Sequence, residues 1–356
     1  MAQKSNTVIT ITELSRQLGL SIATISSVLN NRHKERRISE KTVKIVQDAA
    51  KQIGYFPNIS ARRLRTYGSA NHPVIIAIIS SYEAPLPLIS VTMSALQKVI
   101  REKPFEHLNY TTTVDMFEAG KLSALPGLMD GSRFNAAIIA NTIPEDDAFL
   151  ARRQLQFPTV FIGRDIPNYS SVRDLADMTG KQAADILFSA QSKHMAILRA
   201  ELMTQTTLAR LDGFIEDASR HLGTTPEQIV CKGFREKDGY EAMRAYLRGG
   251  GQLDGLYAIM DSLAVGAYHA IKEHGLRIPD DVAVIGTGDY SVAPYLDPPL
   301  STFTRSQYNM HEEAARLLLR QLNGEITQPT QIVVPVIPVL RESTRRGSLA
   351  HVPVGS

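Results

Sequence analysis

The chain has 356 residues, 43% of them hydrophobic, and a net charge of only +3. That length exceeds one ordinary domain and the apolar share can build real cores, so two or three globular units are expected and a disordered chain is excluded. No run of 18 apolar residues and no basic-then-apolar leader is present, and Cys231 is alone; the expectation is a soluble cytoplasmic protein with no membrane partner, no disulfide framework and no cysteine zinc site, in which Cys231 is a buried bystander.

Charge is unevenly spread. Residues 1–66 hold twelve lysines and arginines against four carboxylates, a surplus of eight, so the rest of the chain carries −5. A basic arm on a mildly acidic body fits a phosphate-binding headpiece joined to something that does not bind nucleic acid; a solvated basic face is the bland alternative.

In chain order, Leu14 and Leu18 sit four apart, Gly19 interrupts, and Ile25, Val28 and Leu29 recur at spacings of three and four. This describes two short amphipathic helices joined by a tight turn, a helix-turn-helix pattern. Ser21 is a natural N-cap for the second helix. Ile25, Val28 and Leu29 form its inward stripe and leave Ile22, Ala23, Ser26 and Ser27 facing outward, where a DNA-binding helix reaches base edges in the major groove. Thr24 and Asn30 are placed to bond phosphates. Taken alone, these residues fit an ordinary helical pair equally well. A third helix follows over Ile38–Ile53, capped by Ser39 or a neighbour, with Val43, Val46, Ala50 and Ile53 on one stripe and Gly54 as its stop.

Three motifs then stand at fixed spacing: Thr24-Ile-Ser-Ser-Val-Leu-Asn30, Ile38-Ser-Glu-Lys-Thr42 and Gly54-Tyr-Phe-Pro-Asn-Ile-Ser-Ala-Arg-Arg-Leu-Arg-Thr66. Together the segment Thr12–Thr66 resembles the DNA-binding headpiece of the LacI/GalR family of transcription regulators. The resemblance implies a helix-turn-helix domain over 1–57 and a hinge helix with linker over 58–72. It places Thr12, Ser21, Ile22, Ala23, Thr24, Ser26, Ser27, Asn30, Arg32, Tyr55, Asn58, Ala61, Arg62 and Leu64 at the DNA, with Leu64 as the minor-groove wedge. The cluster Asn31–Arg37 is longer than the loop common in that family, and its cations are expected to add phosphate contacts without reading sequence.

Beyond the linker the chain changes character. Val74–Ile79, Ala136–Ala140, Thr159–Ile162, Met195–Leu198, Gly255–Ile259 and Val282–Ile285 read as strands buried on both faces. Helical patterns lie between them, among them Val91–Ile100, Thr179–Ala190, Thr207–His221, Asp238–Arg248 and Ser262–His274. Strand and helix alternate, so the fold class is α/β with parallel sheets behind an all-α headpiece.

Arg210-Leu-Asp-Gly-Phe214, Asp261-Ser-Leu-Ala-Val-Gly-Ala267, Ile278–Gly286, Pro298–Thr302 and Arg341–Arg345 are similar to landmarks of the same family's core. The resemblance therefore covers about Thr10 to Arg346. It implies a core like a periplasmic sugar-binding protein, with two Rossmann-like subdomains, 73–163 plus about 292–330 and 164–291 plus about 331–346, and a tail over 347–356.

In open parallel sheets ligands bind beyond the carboxyl ends of the strands. The loops there supply Ser80, Ser81 and Tyr82, then Asn141, Arg164, Asp261 and Asp289 as candidate effector contacts. Arg210 matches the family's effector-gripping arginine, and Asp174 matches a cleft aspartate whose usual Asn neighbour is Leu175 here. Met260 and Gly288 stand where two polar sugar contacts are usual. Because Arg164, Arg199 and Arg210 remain while an acidic contact is lost, an acidic or phosphorylated sugar is the expected effector.

Two recognition helices related by a two-fold axis read a pseudo-palindrome, so a homodimer on double-stranded DNA is expected. Met310–Leu322, with Ala314, Leu317, Leu318 and Leu322 on one stripe, is either part of the dimer surface or a helix on its own sheet. An enzyme is not expected: no phosphate loop, nucleophile elbow or zinc motif occurs, and no cofactor or metal is implied. A pure solute carrier would need an export signal in place of the headpiece. The sequence thus reads as a ligand-controlled transcription regulator, expected to be a repressor, with a solute-binding protein or a sugar-active enzyme bearing a DNA-binding domain as the other reading.

Overall fold

A computed structural model of the chain describes residues 11–29, 33, 36–52, 74–103, 105, 109–129, 131–305 and 309–346. The described residues fall into two compact units: the headpiece helices with the short segments 127–135 and 155–157, and the rest of the chain from 74 onward.

In the headpiece, α1 (Ile11–Leu18), α2 (Ile22–Leu29) and α3 (Glu40–Gln52) enclose Leu14, Ile25, Val28 and Val46, all fully buried. Ala50 completes that core, and Leu18, Leu20, Leu29, Ile38 and Val43 pack against it. Gly19 ends α1 at φ +62°, a conformation that side chains with a Cβ rarely adopt, and the Ser15 hydroxyl donates to the Leu20 carbonyl at 2.6 Å across the same turn. Both expected caps form: Thr24 N–H donates to Ser21 Oγ at 3.1 Å and Thr42 N–H to Ser39 Oγ at 3.2 Å.

The second unit runs β1 (Val74–Ser81), α4 (Leu86–Ile100), β2 (Tyr110–Phe117), β3 (Ala136–Ala140), α5 (Pro144–Ala151), β4 (Thr159–Ile162), β5 (Ser170–Asp174) and α6 (Ala176–Ser189). It continues with β6 (Met195–Ala200), α7 (Gln205–Leu222), β7 (Glu227–Cys231), α8 (Glu236–Arg248), β8 (Gly255–Ala258), α9 (Asp261–Glu273) and β9 (Ala283–Ile285). Last come β10 (Thr302–Thr304), α10 (Met310–Leu322), β11 (Gln331–Val334) and β12 (Ile337–Val339).

Six strands form one parallel sheet in the order β11-β5-β4-β3-β1-β2, and four form another in the order β7-β6-β8-β9. A short antiparallel pair, β10 with β12, stands apart from them. The six apolar runs legible in the sequence are the strands β1, β3, β4, β6, β8 and β9. Strands β2, β7 and β11 lie at sheet edges and are partly exposed, so each mixes polar with apolar residues.

Strand β5 is different, because Ser170 and Ser171 are buried. Ser170 Oγ accepts from Gln321 Nε2 at 2.6 Å and from Thr330 N–H at 2.9 Å, and Ser171 Oγ donates to Gln331 Oε1. Satisfied hydroxyls can be covered at little cost, which disguises a central strand as a loop. The six-stranded sheet thereby takes in 170–174 and 331–334, two strands lying beyond the subdomain boundaries expected from the sequence.

The stripe on α10 is accounted for within the unit. Met310, Ala314, Leu317, Leu318 and Leu322 are buried, and the helix packs on α4 and on β3, β4 and β5. Of the two readings of that stripe, packing on its own sheet is the one found.

Candidate functional site

The first turn of α2 presents Ser21, Ile22 and Ala23 to solvent, with Thr24 and Ser26 half-buried. The Thr24 hydroxyl lies 2.8 Å from Ser21 Oγ, so the cap is a closed pair. Ser27 corrects the outward placement expected of it: it is buried, and its hydroxyl turns back onto the Ala23 carbonyl at 2.7 Å. A hydroxyl bonded within its own helix needs no water, so it does not have to face out. Arg16, Arg36, Arg37, Lys41 and Lys44 are exposed around this small core. Thr12 lies in α1, but its side chain is outside the described residues, as are Asn30, Arg32, Tyr55, Asn58, Ala61, Arg62 and Leu64.

In the second unit the strand orders place a reversal beside β1 and another beside β6, since each has its successor on one side and a later strand on the other. Crevices at such reversals, beyond the carboxyl ends of the strands, are where open sheets bind ligands. A cavity of about 750 Å³ lies there, bordered by strand ends of the six-stranded sheet and by loops and helices that follow strands of both sheets, among them Ser80, Asn141, Arg164, Arg210, Met260, Asp289, Tyr290 and Arg305. Asn141 Nδ2 donates to Ser80 Oγ at 3.0 Å. Asn141 and Asp289 both adopt positive φ, +58° and +50°, a mildly costly conformation that tends to gather at ligand sites.

Buried charge dominates one wall. Asp174 accepts from Arg210 Nη2 at 3.3 Å and from Arg305 Nε at 2.8 Å, with a second bond from Arg305 Nη2. Burial works against its charged form, but Arg305 and Arg210 outweigh burial and hold the Asp174 carboxyl below the usual carboxylate range. Arg210 also donates to the Ile259 carbonyl at 3.4 Å. Arg164 is almost wholly enclosed, and burial lowers its pKa to about 10, against the opposing pull of Asp147 and Asp146. It therefore stays charged at neutral pH.

A second group of polar residues is closed on itself. Asp261 is fully buried and accepts from Tyr290 N–H at 2.9 Å and Thr302 Oγ1 at 2.7 Å. Burial raises its pKa to about 6 despite those two bonds. Asp289 pairs with Arg341 at 2.8 Å. Gly288 has φ +132°, and a Cβ there would meet the Tyr290 ring at 2.7 Å, so glycine is what lets this ring stand against the chain at the cavity wall.

Two family models match the chain: bacterial regulatory proteins of the lacI family over residues 10–58, and the periplasmic binding protein-like domain over residues 184–344. The chain thus carries a lacI-family helix-turn-helix domain and a periplasmic-binding-protein-like domain. A PurR transcriptional repressor of Pasteurella multocida is 25% identical over 94% of this chain and 98% of its own. The transcriptional regulator CelR of Thermobifida fusca is 24% identical over 91% and 95% respectively. Among solved structures, a CelR–cellobiose complex has a TM-score of 0.65 at 22% identity, covering 94% of this chain and 100% of that one. A lac repressor dimer bound to operator and the anti-inducer ONPF also has a TM-score of 0.65, at 20% identity over 94% and 99%. The protein is thus a DNA-binding transcription regulator with a helix-turn-helix headpiece and a periplasmic-binding-protein-like core.

Of the effector contacts expected from the sequence, the fold gathers Ser80, Asn141, Arg164, Arg210 and Asp289 on the one cavity. Asp174 is reached through Arg210. Ser81 borders a smaller adjoining pocket. Tyr82 is 64% exposed and lies outside both, and Asp261 is sealed beneath the cavity rather than lining it. Arg199 also leaves the set, because it donates to Gln228 at 2.8 Å and to the Ala200 carbonyl. It stands within β6, one residue short of the strand's end.

Sequence reasoning missed Thr204 and Thr207 at the start of α7, and also Tyr290, Arg305 and His311, all on the cavity. Arg305 was within reach, since it follows the strand Thr302–Thr304 directly and obeys the rule that picked out Arg164. Tyr290 carries no sequence signal; it is seen only once Gly288 is known to make room for it.

Proposed function

We propose that this regulator is a cytoplasmic repressor that binds a pseudo-palindromic operator as a homodimer, and that a small carbohydrate-type effector in the core cleft sets its affinity for DNA. The cavity of about 750 Å³ at the carboxyl ends of two parallel sheets carries the reading, because its size and mixed polar and apolar lining suit a sugar-sized ligand. Complexes with cellobiose and with ribose are known for proteins of similar fold. Ser21, Ile22, Ala23 and Ser26 are the proposed base-edge and phosphate contacts of α2, and Leu64 the proposed wedge. Arg210, Asn141, Ser80 and Asp289 are the proposed effector contacts.

Coupling needs only that the effector bind the DNA-competent and the DNA-incompetent states with different affinity. Selection of bound sequences from random duplex DNA by the full-length protein tests the reading directly. A two-fold symmetric consensus, protected on both half-sites at a stoichiometry of two chains per duplex, is the expected result. Recovery of no consensus, or binding by a monomer to an asymmetric site, overturns it.

A further inference from the structure

The buried polar atoms around the cleft are lopsided. Arg164 is 2% exposed, yet its Nε and Nη1 have no hydrogen-bond partner among the described residues. Arg210 Nε and the Tyr290 hydroxyl are in the same condition. All three side chains border the same cavity. A buried donor left without an acceptor is costly, so folded proteins leave few of them unless something else supplies the acceptor.

The nearby carboxylates do not. Asp146 spends its oxygens on the backbone N–H groups of Gly120, Leu122 and Ile143, at 3.0, 3.1 and 3.3 Å. Asp147 takes the Thr142 hydroxyl. They offset the Arg164 charge through space without accepting from its Nε or Nη1. Asp174 is engaged through Oδ2 by Arg210 and Arg305, its Oδ1 accepting from neither, and Asp261 by Tyr290 N–H with Thr302.

A second feature points the same way. Thr204, the N-cap of the 18-residue helix α7, borders the cavity together with Thr206 and Thr207. The two neighbours of Arg164 are tied to this turn: Thr206 Oγ1 donates to the Gly163 carbonyl, and Asp165 N–H donates to Gln205 Oε1 at 2.8 Å. The positive end of a long helix and an unpartnered buried guanidinium therefore meet at one edge of the cleft.

We propose, resting on the effector-cleft reading above, that the effector carries an oxyanion, a carboxylate or a phosphoryl group, and that Arg164 receives it beside the first turn of α7. A planar guanidinium fork matches either group, and the site is enclosed enough for the pairing to outweigh its screening by salt. The Tyr290 hydroxyl and Arg210 Nε then donate to the sugar's own oxygens. A neutral sugar would bring no charge to set against the buried Arg164 guanidinium.

The test uses the full-length protein and matched sets: glucose, galactose and fructose, the uronates of the first two, and the 6-phosphates of glucose and fructose. Thermal unfolding and calorimetry read binding. At least one anionic member should raise the melting temperature while its neutral parent does not, and which arm responds separates carboxylate from phosphate. Arg164→Gln should weaken that ligand by about 10- to 100-fold. Arg164→Lys, which keeps the charge but loses the fork, should fall between. Unchanged ligand-free melting and DNA binding establish that both variants are folded. Neutral parents binding as tightly as the anions, or an Arg164→Gln variant of undiminished affinity, would overturn the oxyanion while leaving a carbohydrate effector in place. No response to any sugar, charged or neutral, with DNA binding intact, would overturn both.

Discussion

The headpiece and the cleft both use charge, in opposite ways. Around α2 the cations are exposed on a small apolar core, and the polar groups near the helix start are short hydroxyls that satisfy one another. In the cleft, Arg210 and Asp174 are buried and bonded to each other from separate elements, while Arg164 is buried with two of its nitrogens unpartnered. Exposed charge gives a soft, salt-sensitive attraction to a polyanion. Enclosed charge gives selectivity, at a cost to stability if one member of a bonded pair is removed.

The sharpest break in this contrast is Asp174→Asn. It leaves Arg210 and Arg305 facing each other without their shared carboxylate, and urea unfolding of the core should lose about 3–5 kcal/mol. A loss no larger than that of a surface substitution would mean the cluster is not held as described.

Two cleft carboxylates should also respond to pH with opposite sign. Asp261, raised to about 6, binds its proton more readily folded than unfolded. Its contribution is complete below about pH 4 and is lost as pH rises through 6, amounting to at most about 3 kcal/mol. Asp174, held low, contributes above pH 4 and loses its contribution on acidification below that. Unfolding free energies measured from pH 4 to 6.5 should therefore decline more steeply in the native protein than in Asp261→Asn. Equal slopes would remove Asp261 as their source.

Smaller effects belong to the headpiece. Ser21→Ala removes the cap of α2 and should cost the headpiece about 1 kcal/mol, read by circular dichroism on heating. Arg36→Ala should leave stability untouched, weaken DNA binding almost evenly across sequences, and reduce the slope of log K against log salt by about 1. A sequence-dependent loss would instead make Arg36 a reader of bases.

How much of this was legible in the sequence follows the same divide. The headpiece could be read down to its caps, because a three-helix core has few ways to bury Leu14, Ile25, Val28 and Val46. The core strands could be read where they are apolar on both faces. Strand β5 could not, since its buried serines are satisfied by Gln321, Thr330 and Gln331, all some 150 or more residues away in the chain. The cleft was half legible. Position after a strand located Arg164 and Asn141, but whether a carboxylate faces the ligand or is sealed, as Asp261 is by Tyr290 and Thr302, depends on contacts across the fold. Arg199 failed for a simpler reason: it is a strand residue whose guanidinium turns to the neighbouring β7.

The decisive measurement is operator affinity of the full-length protein, on its selected DNA site, titrated with whichever sugar derivative stabilises the core. Linkage between the two sites predicts a change of about 5- to 150-fold, with an equal change in sugar affinity when operator is present. A ligand that raises the melting temperature yet leaves operator affinity unchanged would contradict effector control of this regulator.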